Sequence, residues 1–211
     1  MAATVLETDF EPLPFDDAVN YFRDLTNVTP AQFAELGRAA RAKAFTIAGG
    51  ATRQVRASIK DLIDQALSEG LTLREFQAEA PEILDAAGIS ERTPWYWETV
   101  YRTNLSTSYQ VGRWRQMTDP DVVAERPFLR YVSARLPNSR PSHVEKHGLI
   151  YPVDHEFWQE WYPPNGFNCY CTAMSVSESM LNRNGWRVST RRVTDEPDPG
   201  FAVNAGMADA V

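Results

Sequence analysis

Helical periodicity runs from residue 15 to Met117 of this 211-residue chain and then stops, and that change limits the folds open to it. Phe15, Val19, Phe22 and Leu25 recur at helical spacing, with Asp16 and Asp17 placed to favour the positive end of a helix dipole. Thr29-Pro30-Ala31-Gln32 combines an N-cap, a proline at the first helical position and a reciprocal glutamine. The helix it opens is expected to reach about Phe45, where Gly49-Gly50 breaks it. Val55, Ile59, Leu62, Ile63, Ala66 and Leu67 form one face of a third helix, stopped by Gly70. Thr72 to Glu75 is a capping box for a fourth, which Pro81 is expected to end or kink. Thr93-Pro94 opens a long helix through Trp97, Val100, Leu105 and Tyr109.

Beyond Met117 the signals shorten. Asp119-Pro120 breaks the pattern, and Phe128 to Ala134 predicts a strand. Ser142 and Glu145 cap a single turn around His143–His147, which Gly148 ends. Leu149 to Val153 is extended, with Pro152 assigning it to an edge or loop. His155 to Trp161 predicts a short helix, and Pro163-Pro164-Asn165-Gly166 a turn. Ser175 and Glu178 cap a last helix ended by Gly185, and Trp186 to Val193 reads as a strand. From Thr194 onward no periodicity remains. The expected fold is therefore α+β: a helical docking region over 1–117, a small mixed α+β domain over 118–193, and an extended tail over 194–211.

With 43% hydrophobic and 23% charged residues, the composition is that of an ordinary globular protein. The net charge of −7 disfavours wrapping of nucleic acid by the whole surface, because that requires surplus cations to displace counterions. No apolar run is long enough to cross a bilayer, and the acidic stretch Met1 to Asp9 lacks the basic and apolar regions of a secretory signal. Cys169 and Cys171 are too close in sequence for a relaxed disulfide, so reduced thiols in a cytoplasmic setting are expected.

All three histidines and both cysteines fall between 143 and 171. His143 and His147 share a face if their turn is helical, and Cys169 and Cys171 share a side if theirs is extended. Convergence of these four would build a structural zinc site, with His155 or Asp154 as alternatives for the fourth ligand. The competing reading is two buried structural thiols with surface histidines. In either case His143, Cys169 and Cys171 are expected together, with Arg140 and Asn168 satisfying nearby backbone groups. A third reading makes Cys169 a nucleophile with His143 as base, although nothing around Asn168-Cys169-Tyr170-Cys171 marks an activated thiol. Arg102, Arg113 and Arg115 form a basic strip on the long helix that could meet phosphate or a partner. The apolar faces at Phe15, Val19, Phe22, Phe33 and Leu36 are expected to dock on a partner, since short helices cannot bury them unaided. Glycine-rich phosphate loops, G-x-S-x-G and H-E-x-x-H are absent from the sequence.

Arg140-Pro141-Ser142-His143, His147-Gly148 and the run Pro163-Pro164-Asn165-Gly166-Phe167-Asn168-Cys169-Tyr170-Cys171-Thr172 together resemble the signature of the phage Mu protein F-like family. Tyr101-Arg102-Thr103-Asn104 with Gly112-Arg113-Trp114, Leu13 to Ala18 and Ala44 to Gly49 resemble further stretches of that family. Tyr170 departs from the pattern, where arginine is usual between the cysteines. The resemblance implies a non-enzymatic minor capsid, or head morphogenesis, protein of a tailed phage or prophage. It further implies portal or major capsid partners and a location in the phage head after assembly in the host cytoplasm. The rivals are a virion-carried Cys/His hydrolase or nuclease, and an ejection protein touching packaged DNA through the arginine strip.

Overall fold

The computed structural model describes residues 15–48, 51–90 and 92–210. The acidic N-terminal stretch, Leu13-Pro14 and the Gly49-Gly50 break lie outside the described residues. The fold is α+β, with a helical N-terminal half and a small mixed C-terminal region. No helix of the described residues is long and apolar enough to cross a membrane.

In the N-terminal half, α1 (Asp16–Asp24), α4 (Arg53–Ser68) and α5 (Leu73–Ala86) pack around α6 (Pro94–Met117). The predicted face of α4 is its buried one, with Ile59 and Ile63 fully enclosed. Phe76, Ala80 and Leu84 of α5 join Trp97 of α6 in the same core, where the Phe76 and Trp97 rings meet edge to face. Gly112 allows α1 to approach α6: a Cβ there would stand 2.7 Å from the Phe15 ring. Phe15 also stacks on Tyr109.

One helix expectation fails, and Pro81 does not end its helix. The helix opened by Thr29 ends early as α2 (Pro30–Glu35), because Leu36 turns extended and Gly37 restarts the chain as α3 (Arg38–Arg41). Arg41 reaches back to the carbonyls of Phe33 and Ala34, satisfying α2's end, while its guanidinium covers the Phe33 ring. Ala44–Phe45 then forms β2, parallel to β1 (Thr26–Asn27). Conversely, α5 continues through Pro81 to Ala86. Phe76 and Ala80 before the proline and Leu84 after it are clamped in the core, and that packing outweighs one lost backbone bond.

The C-terminal half begins with α7 (Pro120–Glu125) and a three-stranded antiparallel sheet ordered β4-β3-β5: β3 (Phe128–Val132) in the centre, β4 (Ile150–Pro152) and β5 (Thr172–Val176) at the edges. Thr172–Val176, unassigned from the sequence, pairs with β3 along its whole length, and the last helix α10 (Glu178–Asn184) is capped by Ser177 instead of Ser175. Between β3 and β4 lies α8 (Pro141–Glu145), and α9 (Phe157–Glu160) follows β4. Tyr131, Tyr151, Phe157, Trp158, Trp161 and Tyr162 make an aromatic core that Trp114 and Met117 enter from the end of α6. The long helix thus belongs to both cores. It is tied across by Tyr162 donating to the Gln110 carbonyl and Gln110 Nε2 donating to Thr172 Oγ1.

Trp186 to Val193 is not a strand. Ser189 N donates to the Ile150 carbonyl at the outer edge of β4 and Ile150 N donates to Ser189 Oγ, while the Tyr151 hydroxyl donates to the Arg191 carbonyl. The next outward-facing residue is Pro152, which has no N–H with which to extend a ladder.

The stretch from Thr194, read as a tail, is docked on the body. Asp195 pairs with the fully buried Lys146 at 2.7 Å, and its carbonyl accepts from Trp161 Nε1. Buried Asn204 donates through Nδ2 to the Trp158 carbonyl, and its backbone N–H donates to that of Gln159. A 3-10 turn at Ala205–Ala210 then rests on α6, where a Cβ on Gly206 would come within 2.6 Å of Trp114.

Candidate functional site

The Pro163–Cys171 segment is built by its own residues. Asn165 is fully buried; it accepts from the Tyr131 hydroxyl at 2.8 Å, and its carbonyl accepts from Asp198 N. Gly166 leaves room for the Asp198–Arg140 ion pair: a Cβ there would sit 2.3 Å from Asp198 Oδ2. Asn168 adopts a positive φ of 54°, a conformation asparagine tolerates better than most residues. The chain thereby doubles back, Cys169 N donating to the Gly166 carbonyl, and both thiols turn inward toward α8.

There they meet His143. Its Nδ1 lies 3.6 Å from Cys169 Sγ and 3.7 Å from Cys171 Sγ, and all three side chains are buried. On the other side of the ring, Nε2 is buried without a hydrogen-bond partner, 3.8 Å from Asp198 Oδ1. Trp161 packs edge-on to the imidazole. The two thiols are shifted in opposite directions. Their mutual hydrogen bond, with burial, pushes Cys169 up; the same bond, helped by His143 and Tyr131, pulls Cys171 down. Cys171 N donates to Cys169 Sγ at 3.5 Å. A cleft of 490 Å³ opens beside the cluster, lined by Trp95, Arg140, Phe167, Asn168 and Tyr170 among others.

His143, Cys169 and Cys171 are brought together as the sequence predicts, and among the described residues they form a group able to hold a metal ion. The structure leaves His147 outside it. Helix α8 ends at Glu145, so the four-residue spacing crosses the helix terminus and the shared face is lost. His147 Nδ1 instead lies 3.2 Å from both the N and the O of Ser133, and burial lowers its pKa. His155 stacks on Tyr151 and accepts from Phe157 N, while Asp154 is exposed. Arg140 donates to the Phe167 carbonyl as expected, whereas Asn168 Nδ2 goes to Thr99 Oγ1.

The other site expectations fare differently. Val19 and Phe22 are buried in the N-terminal core, and Phe15 is covered by α6, so the face expected to dock on a partner is consumed by the chain itself. Phe33 and Leu36 stay half-buried. Arg102 pairs with Glu98 and lies over Tyr170, the residue standing where the family pattern has arginine. Arg113 donates to the Ala173 carbonyl, and Arg115 is half-buried. Asp198 and Lys146 escaped the sequence reading. Asp198 sits in an aperiodic stretch, and a lone lysine carries no signal of burial.

Residues 57–174, more than half of the chain, match the family described as phage Mu protein F like protein. The putative capsid assembly protein F of Escherichia phage Mu is 33% identical over 194 residues, covering 84% of this chain and 44% of that protein. The Mu-like prophage FluMu F protein of Haemophilus influenzae is 30% identical over 176 residues, covering 78% of this chain and 42% of that protein. The chain thus spans less than half the length of both relatives. No solved structure matches it. With the family's matched region enclosing His143, Cys169 and Cys171 on a helix-led α+β body, this chain belongs to the phage Mu protein F-like family.

Proposed function

We propose that this chain acts in phage head assembly as a non-enzymatic minor capsid protein, working near the portal. The observation that carries the reading is the family match, together with a relative named a putative capsid assembly protein. In this reading its partners are the portal or major capsid protein, and its destination is the phage head.

The surface offered to such a partner is not the α1 face. Trp95, Phe167 and Tyr170 are 66%, 56% and 46% exposed around the cleft beside the His-Cys-Cys cluster. Large aromatic side chains grouped on a surface are what assembly interfaces favour. A Cys/His hydrolase draws less support. Cys169 and Cys171 are both buried, and His143 faces two sulfurs at once, whereas a nucleophile needs one reachable thiol paired with its own base. Contact with packaged DNA also draws less support, since Arg102 and Arg113 are engaged within the chain.

Mass spectrometry of purified virions and of empty proheads tests the reading. The protein is expected in both; absence from both overturns it. A Trp95→Ser/Phe167→Ser double variant is expected to fold normally by circular dichroism and yet fail to enter heads.

A further inference from the structure

We propose that His143 Nδ1, Cys169 Sγ and Cys171 Sγ bind one zinc ion, with Asp198 orienting the histidine from behind and the fourth coordination position facing the cleft. The spacing carries the argument. Zinc bonds of about 2.3 Å to sulfur and about 2.0 Å to nitrogen, at tetrahedral angles, place the nitrogen about 3.6 Å from each sulfur. The observed separations are 3.6 and 3.7 Å, and all three donor atoms lie within 4.8 Å of one another. A hydrogen-bonded cluster accounts for this less well. Nδ1 has one lone pair or one proton to offer, so it can serve one sulfur and not both. A central cation serves all three donors at once.

The surroundings agree. Ligating histidines characteristically donate their second ring N–H to a carboxylate. His143 Nε2 is buried with no hydrogen-bond partner, and the nearest carboxylate oxygen, on Asp198, is 3.8 Å away. Asn168 Oδ1, also buried without a partner, belongs to a residue lining the cleft. Two sulfurs and an imidazole suit zinc over magnesium or calcium, which prefer oxygen. Among the described residues no fourth histidine, cysteine or carboxylate joins the group, so the three donors alone would hold the ion from the protein side. The ion would join α8 to the 169–171 segment and, through Asp198, steady the C-terminal stretch.

Titrating the purified, chelator-treated full chain with cobalt and then zinc is the test. One cobalt per chain, with a thiolate-to-cobalt charge-transfer band that zinc abolishes, is expected; absence of the band overturns the proposal. Cys171→Ala and His143→Ala should each lose the band, and His147→Ala should retain it. Retention of wild-type zinc affinity by both of the first two variants, or its loss in the third, also overturns the site. Asp198→Asn should weaken zinc binding by about 10- to 100-fold without abolishing it. If a variant fails to fold, the wild-type titration still decides.

Discussion

The two cores of this molecule are built on different principles. The N-terminal core is a stack of amphipathic faces in which Val55, Ile59, Leu62 and Ile63 meet Phe76, Leu84 and Trp97. Its specificity is spread over many apolar contacts. The C-terminal core is aromatic, and buried polar side chains fix its geometry at single points: Lys146 on Asp195, Asn165 under Tyr131, and Asn204 on the Trp158 carbonyl. A helix bundle can be assembled by periodicity alone, whereas short strands and loops need each buried polar group answered individually.

The largest effect should come from the apolar core. Trp97→Ala removes a fully buried indole and is expected to cost about 3–5 kcal/mol, measured by denaturant unfolding. A cost under ~1 kcal/mol would show that the N-terminal core can collapse around the void, contrary to a tightly stacked bundle.

Next comes the polar point contact. Asp195→Ala leaves the Lys146 ammonium buried, with Glu145 at 3.6 Å and the Trp161 face as its remaining partners. The expected loss is roughly 3 kcal/mol, while Lys146→Met should be close to neutral, because a matched apolar side chain carries no desolvation penalty. Equal losses in the two variants would contradict the account of Lys146 as a charge that needs its partner.

Gly206→Ala should cost about 1–3 kcal/mol by forcing a Cβ against Trp114. Hydrogen exchange should show the effect as loosening of residues 194–210, with α4 and α5 unchanged. Uniform loosening would mean that the two cores are less separable than their packing implies.

The smallest effect is electrostatic. Glu145 is held below its ordinary 4.5, first by a hydrogen bond from Arg191 and then by the Lys146 charge. A carboxylate lowered in the folded state contributes stability above its unfolded pKa and loses it as pH falls through the folded one. The small melting difference between wild type and Glu145→Gln should therefore be present at neutral pH and vanish on acidification. A difference that persists or grows in acid would contradict this pairing.

The sequence by itself determined the helices whose caps and faces are local: Thr29, Thr72 and Thr93 cap as read, and the buried positions of α4 follow from 3.6-residue spacing. It also brought together His143, Cys169 and Cys171, through a turn motif specific enough to suggest the family. Only the tertiary structure decided the rest. That Phe15 and Phe22 serve the chain's own core depended on α6 covering Phe15 and on Phe45 and Lys60 meeting Phe22. That His147 leaves the cluster depended on α8 stopping two residues short of it. That the stretch after Thr194 is docked depended on Lys146, Asn204 and Asp198 finding partners far away in sequence. Periodicity and capping are local and repeat along the chain. A single buried contact between distant residues repeats nowhere, so it leaves no pattern to read.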